Sequence, residues 1–209
     1  MKHRYVVVEG PIGCGKTSLA NKLAQRLNGT PLLEDAKANP FLPLFYRDMK
    51  RHALPTQLFF LFQRVQRLEE LEQPDLFGKP TVADFALAKD PLFARMTLDD
   101  AEYQLYSRIF DHVKPQAPQP DLVIYLQASI ETLVHRLKRR GTPGEGAISE
   151  DYLRSLSEAY TRYFHHYTDS SMLIVNSERL NFVESAEHLD LLIERIDALR
   201  GGREFFNRA

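Results

Sequence analysis

Cysteine is nearly absent from this 209-residue chain: Cys14 is the one thiol, so no internal disulfide can form. Neither sign of charge dominates, with 27 Lys and Arg against 28 Asp and Glu and a net charge of −1. Sequence-independent nucleic-acid binding needs a basic surface, so no nucleic-acid partner is expected. Long apolar runs are missing as well. After Lys2, His3 and Arg4 the first apolar stretch is only Tyr5 to Val8, shorter than the core of a secretory signal. No stretch approaches the about 20 residues of a membrane span, so no membrane partner is expected. Internal repeats, low-complexity tracts and linkers are lacking too. What remains is an ordinary globular composition, 44% hydrophobic and 26% charged. It predicts one domain over residues 1–209 in a reducing, cytoplasmic setting.

What the chain does contain is an alternation of short apolar runs with helical patterns, the signature of an α/β fold with a parallel sheet. Five strands are expected, at Tyr5–Val8, Pro31–Leu33, Thr81–Ala83, Leu122–Leu126 and Leu173–Val175. A long strandless insertion separates the second from the third. Within it Asn39 before Pro40 reads as an N-cap, and Pro74 as the stop of a second helix. Thr97–Asp100 resembles a capping box opening a helix through Phe110. Gly141–Gly146 is too rich in glycine for a helix and is expected to be a mobile loop. Ser149 then caps a helix running to about Tyr167.

Gly10, Gly15, Lys16 and Thr17 fit G-x-x-x-x-G-K-[ST] between a strand and a helix. In that setting glycines let backbone N–H groups form a nest for phosphates, the helix N-terminus adds positive potential, Lys16 meets the outer phosphates, and Thr17 can hold Mg²⁺. The expected nucleotide cradle is Gly10, Pro11, Ile12, Gly13, Cys14, Gly15, Lys16, Thr17 and Ser18. Cys14 is read as a small turn residue.

A bound phosphate can be a switch, a fuel or a group to be transferred. The switch-like Asp75–Gly78 follows Pro74 with no strand before it, and no guanine-reading motif is present. A hydrophobic strand ending in acid, Thr81 to Asp84, would suit a remodelling ATPase, but the chain is small and shows no partner surface. A small-molecule kinase needs a base, an acceptor pocket and a cationic lid, and each has candidates. Glu34 ends the second strand, where ligands gather in open α/β sheets, with Asp35 as a competitor for the base. Gln57, Leu61, Arg64 and Leu68 recur at four, three and four residues and share one helix face. An amide and a guanidinium there suit a planar heterocycle. Arg136, Arg139 and Arg140 precede the glycine-rich loop and could stabilise a transferring phosphoryl group.

With these residues in place, "EGPIGCGKTS", "NPFLPLFYRD", "TQLFFLFQR", "DPLF", "DLVIYLQAS", "HRLKRRG" and "ISEDYLRSLSEAY" follow one another in an order and spacing that resemble the deoxynucleoside kinase family. The resemblance implies a P-loop kinase fold with a five-stranded parallel sheet flanked by helices, a lid over about 136–148, and Mg²⁺-dependent transfer of the γ-phosphoryl of ATP to the 5′-hydroxyl of a deoxynucleoside, by a homodimer. It assigns Glu34 as the general base, Gln57 to the base edge, Tyr46 to the sugar, Arg64 with Asp90 to the base pocket, Glu145 to lid and sugar, Arg136 and Arg140 to the phosphates, and Asp84 with Thr17 to the metal. A purine acceptor is expected by the same analogy. Two departures stand out. Phe85 occupies a position where the family has arginine, and Thr142 replaces one lid arginine. Lys89, four residues after Phe85, is the candidate substitute cation if a helix begins near Ala86. Competing expectations are a nucleoside monophosphate kinase, using Arg47, Lys50 and Arg51 for a second phosphate, and a non-catalytic nucleotide-binding protein, suggested by Phe85.

Overall fold

A computed structural model describes residues 3–70, 78–114, 118–142, 144–182 and 184–207. The expected helix stop at Pro74, residues 75–77 of the switch-like stretch and Pro143 of the lid lie outside them. Among the described residues the strands are β1 (Tyr5–Glu9), β2 (Thr30–Leu32), β3 (Thr81–Ala83), β4 (Leu122–Gln127), β5 (Ser171–Asn176) and β6 (Arg203–Phe206). They form one sheet in the order β2-β3-β1-β4-β5-β6, and every pairing is parallel. The sheet therefore has six strands, not five. The sixth pairs with β5 at the edge, and its alternately exposed Arg203-Glu204-Phe205-Phe206 lacks the continuous apolar run that marks a buried parallel strand.

The helices are α1 (Lys16–Arg26), α2 (Leu42–Phe45), α3 (Met49–Glu69), α4 (Asp90–Thr97), α5 (Asp100–Val113), α6 (Ile130–Arg140), α7 (Glu150–His166) and α8 (Ala186–Ala198). Strand side chains alternate between the two faces of the sheet. Val6, Val8, Ile124 and Leu126 pack under α1 and α8, where Leu19, Leu23, Leu192 and Ile196 meet them. Val7, Ala83, Val123 and Tyr125 pack on α7 through Leu156, Tyr160 and Phe164. A third cluster joins Phe45, Tyr46, Leu61, Ala94, Leu98 and Tyr106, so the strandless insertion packs with α4 and α5 into one helical layer.

Several local expectations shift by a turn. Asn39 does accept the Phe41 N–H at 3.0 Å, but α2 begins only at Leu42. The capping box before α5 is Asp99 with Glu102, two residues past Thr97. Ser149 caps α7 through the Tyr152 N–H. A single 3₁₀ turn over Leu87–Lys89 precedes α4, so the helix after β3 starts at Asp90 and not near Ala86.

The connection from α1 to β2 is tight. A Cβ on Gly29 would lie 2.3 Å from the Pro80 carbonyl oxygen, which already accepts the Thr30 N–H at 2.8 Å. Gly29→Ala is expected to cost about 1–3 kcal/mol of stability and to lower Tm by roughly 2–12 °C, read by thermal unfolding; an unchanged Tm would show that this edge of the sheet relaxes freely.

Candidate active site

The phosphate loop links β1 to α1. Gly10, Gly13 and Gly15 adopt φ of +149°, +87° and +102°, a backbone open only to glycine at little cost. Gly15 is the N-cap of α1 and offers no side chain to it. The first N–H groups of the helix are thus left to an anion, which the helix dipole also favours. The Lys16 ammonium folds back on the loop, donating to the Gly10 and Pro11 carbonyls at 2.8 and 3.2 Å. Cys14 is buried, and that burial pushes its thiol upward. Beside the loop lies a cavity of about 700 Å³ lined by Lys16, Thr17, Arg136, Arg139 and Arg140.

Asp84, at the end of β3, joins two halves of the site. One carboxylate oxygen accepts the Thr17 hydroxyl at 2.5 Å and the other accepts the Glu34 backbone N–H at 2.8 Å. Burial raises its carboxyl, against the two hydrogen bonds that lower it. Among the described residues no group of three or more His, Cys, Asp and Glu is placed to ligate a metal.

The side of the site away from the phosphate loop is organised by Arg64, buried on α3. Its Nε donates to Glu34 Oε1 at 2.7 Å, Nη2 pairs with the same oxygen, and Nη1 bonds Asp90 Oδ2. Tyr106 Oη donates to the other Asp90 oxygen at 2.6 Å. Burial alone would push the Glu34 carboxyl up, but Arg64 foremost, then Lys89 and Lys16, outweigh it and hold Glu34 below its ordinary value. Gln57, Leu61, Arg64 and Leu68 are buried along one face of α3, as their spacing predicts. The Gln57 amide reaches Thr97 Oγ1 at 3.4 Å, and Tyr46 is buried beside α3 in the helical cluster. Asp35 instead caps a 3₁₀ turn, accepting the Lys37 and Ala38 N–H groups.

Gly144 of the glycine-rich loop lies against the helical layer: a Cβ there would come within 3.1 Å of Pro43. Arg140 holds Glu145 through Nε at 2.9 Å and through Nη2, and Glu145 is close enough to raise the Tyr46 hydroxyl, after burial and Tyr152. Arg136 faces the loop backbone. It donates to the Cys14 carbonyl at 3.2 Å, to Ser177 Oγ at 3.1 Å and to the Ser177 carbonyl at 2.6 Å. Arg47, Lys50 and Arg51 are exposed.

The sequence matches the deoxynucleoside kinase family over residues 6–199. The chain belongs to that family. It is similar to the deoxyguanosine kinase of Bacillus subtilis (strain 168), 36% identical over 157 residues that cover 75% of this chain and 76% of that one. It is also similar to the deoxyadenosine kinase of Lactobacillus acidophilus, 30% identical over 206 residues covering 92% and 94%. A solved deoxyadenosine kinase from M. mycoides has the same fold, with a TM-score of 0.81 at 23% identity over 93% of this chain and all of that one. As a deoxynucleoside kinase the protein is a phosphotransferase that uses ATP as donor and a deoxynucleoside as acceptor.

Where this kinase departs from the family pattern, the structure is specific. Phe85 is fully buried in the apolar cluster with Val7, Ala83 and Tyr160. Lys89 is not the exposed lysine a residue beside Asp90 could be. It is 2% exposed, with its ammonium 3.0 Å from Glu9 and 5.7 Å from the Phe93 ring centre. Sequence reasoning passed over Glu9, Tyr106, Tyr160 and Ser177. Only Glu9 left a signal, a carboxylate closing an otherwise apolar strand next to the first loop glycine.

Because the native Glu34 value is depressed, the stability carried by its carboxylate is complete above the unfolded value, about 4.3, and is lost as pH falls through the lower native one. Arg64→Met removes the leading opposing charge and leaves burial to act. In that variant Glu34 should titrate at higher pH than in the parent, as followed by carboxyl-carbon NMR; an equal or lower value would assign the depression to Lys89 and Lys16 instead.

Proposed function

We propose that this kinase transfers the γ-phosphoryl group of ATP to the 5′-hydroxyl of a purine deoxynucleoside, with Glu34 as the general base. The observation that carries the reading is the Glu34 carboxylate, kept ionised by Arg64 at the end of β2 and tied through its own backbone to Asp84 beside the phosphate loop. Arg64 occupies Oε1, so Oε2 is the oxygen that takes the hydroxyl proton. As that proton leaves, the 5′-oxygen bonds to the γ-phosphorus, the bond from phosphorus to the β–γ bridging oxygen breaks, and ADP departs. There is little further covalent work for the protein, so catalysis is positioning and charge stabilisation.

Gly10 to Ser18 cradle the donor phosphates, with Lys16 exchanging its carbonyl partners for phosphate oxygens. Thr17 and Asp84 would hold Mg²⁺: they are hard oxygen donors already in contact, the ligand type magnesium prefers. The metal would supply charge neutralisation at the transferring phosphoryl. Gln57 meets the base edge, Arg64 with Asp90 closes the base pocket, and Tyr46 and Glu145 face the sugar. The purine preference is supported by the relatives' own substrates, deoxyguanosine and deoxyadenosine; the Gln57 amide can present donor and acceptor to adenine, guanine or cytosine alike. Within one domain, the lid over about 136–148 closes on ATP. Arg140 then leaves Glu145 for the phosphates while Arg136 steadies the loop. Lys89 acts as a buried cation on Glu34.

The protein is further proposed to act as a cytoplasmic homodimer. Phe62 on α3 and Leu105 on α5, helices that pack together, are 51% and 50% exposed and supply an apolar face. Light scattering that returns a monomer would overturn this.

Turnover of ATP with each deoxynucleoside and each 5′-monophosphate tests the reading. Deoxyadenosine or deoxyguanosine should be the best acceptor; activity confined to monophosphates would make the protein a nucleotide kinase. Glu34→Gln should keep nucleoside binding and lower kcat by about 10²–10⁴-fold, whereas an unchanged kcat would remove Glu34 from the base role.

A further inference from the structure

Glu9 closes β1 immediately before Gly10 and is fully buried. A buried carboxylate needs compensation, and here four donors from three segments converge on it. The Gly10 N–H lies at 3.1 Å, the Ala86 N–H at 2.6 Å and Tyr160 Oη of α7 at 3.2 Å. The Lys89 ammonium lies 3.0 Å from Oε1 and 3.3 Å from Oε2. Gly10 opens the phosphate loop, and Ala86 follows Asp84 by two residues. The same carboxylate therefore grips the start of the phosphate loop and the segment after Asp84, the residue that bonds both the Thr17 hydroxyl and the Glu34 backbone. The ammonium lies 5.7 Å from the Phe93 ring centre, and Tyr160 stacks on Tyr125 of β4 with rings 9° apart, so both side-chain partners of Glu9 are flanked by aromatic rings.

We propose that Glu9 is a positioning residue for phosphoryl transfer: its carboxylate clamps the start of the phosphate loop to the segment after Asp84 and locks the Lys89 ammonium in place. Glu9 touches neither substrate; it sets the distance between the groups that do. The inference rests on the kinase activity proposed above. A displacement of about 1 Å between reacting groups can cost 10²-fold, so the length of this side chain matters as well as its charge.

Four variants test it: Glu9→Asp, Glu9→Gln, Lys89→Met and the double variant Glu9→Gln/Lys89→Met. Glu9→Asp keeps the charge but withdraws it by one methylene. It should lower kcat by about 10–100-fold, with the KM values for ATP and deoxynucleoside within about threefold. The two variants that leave one buried charge unpaired should also lose thermal stability. The double variant removes both charges and should regain Tm over either single variant while staying slower in kcat than Lys89→Met, because its amide can accept only one of the two backbone N–H groups. Recovery of kcat together with Tm in the double variant would reduce the pair to a structural one. So would a folded Glu9→Asp with kcat within twofold of the parent. If Glu9→Asp fails to fold, the double variant alone decides on the same criterion. An unsubstituted protein that phosphorylates no deoxynucleoside would overturn the kinase reading instead, with the four variants then having no activity to lose.

Discussion

A single guanidinium holds the helical half of the candidate site together. Arg64 is buried on α3, and a charge taken out of water must find partners or forfeit its solvation. Glu34 from the end of β2 and Asp90 from the start of α4 supply them, and Tyr106 on α5 satisfies the remaining Asp90 oxygen. One ion cluster thus fixes the angle of α3 against the sheet and the placement of α4 and α5 around it. Loss of one partner of such a buried pair typically costs about 3–5 kcal/mol. The same contacts that hold the helices also keep Glu34 ionised, so the stability of the insertion and the charge state of the proposed base are one property.

The donor half depends on backbone geometry. Three glycines with positive φ and a helix without a side-chain cap leave N–H groups facing outward, and Arg136 braces the loop against the segment after β5 through the Cys14 and Ser177 carbonyls. The two halves meet at Asp84, which holds the Thr17 hydroxyl with one oxygen and the Glu34 backbone with the other. Because β3 lies between β2 and β1 in the sheet, its carboxyl end is the one position from which a short side chain can reach both neighbours.

Phe85 and Lys89 show how the local alternation of a chain can relocate a charge. A phenylalanine at position 85 joins the apolar layer over α7, and the nearest available cation sits one 3₁₀ turn later, paired with Glu9. The positive charge remains near Glu34, but it arrives from inside the protein, already neutralised by a carboxylate, and not as a free arm reaching for phosphate. The lid shows a similar economy: Arg140 has a carboxylate partner in Glu145, on the side of the loop that faces Tyr46.

Much was legible in the chain itself. The loop glycines, Lys16 and Thr17 encode their geometry over a few residues, and the four-three-four spacing of Gln57, Leu61, Arg64 and Leu68 encodes a helix face, because a helix repeats every few residues whatever surrounds it. The parallel α/β architecture followed from the apolar runs of buried strands. β6 did not, since an edge strand with one face in water carries no such run. Arg64 with Asp90 came only through the family resemblance, and the other partners of the buried charges not at all: Arg64 with Glu34 spans 30 residues, Lys89 with Glu9 spans 80 and Tyr160 with Glu9 spans 151. The sequence by itself determined that a phosphate binds, which helix faces are buried and which acids end strands. Only the tertiary structure decided which buried charge meets which, because a side chain's partner is set by the burial and distance that long-range packing creates, and neither is a property of the local chain.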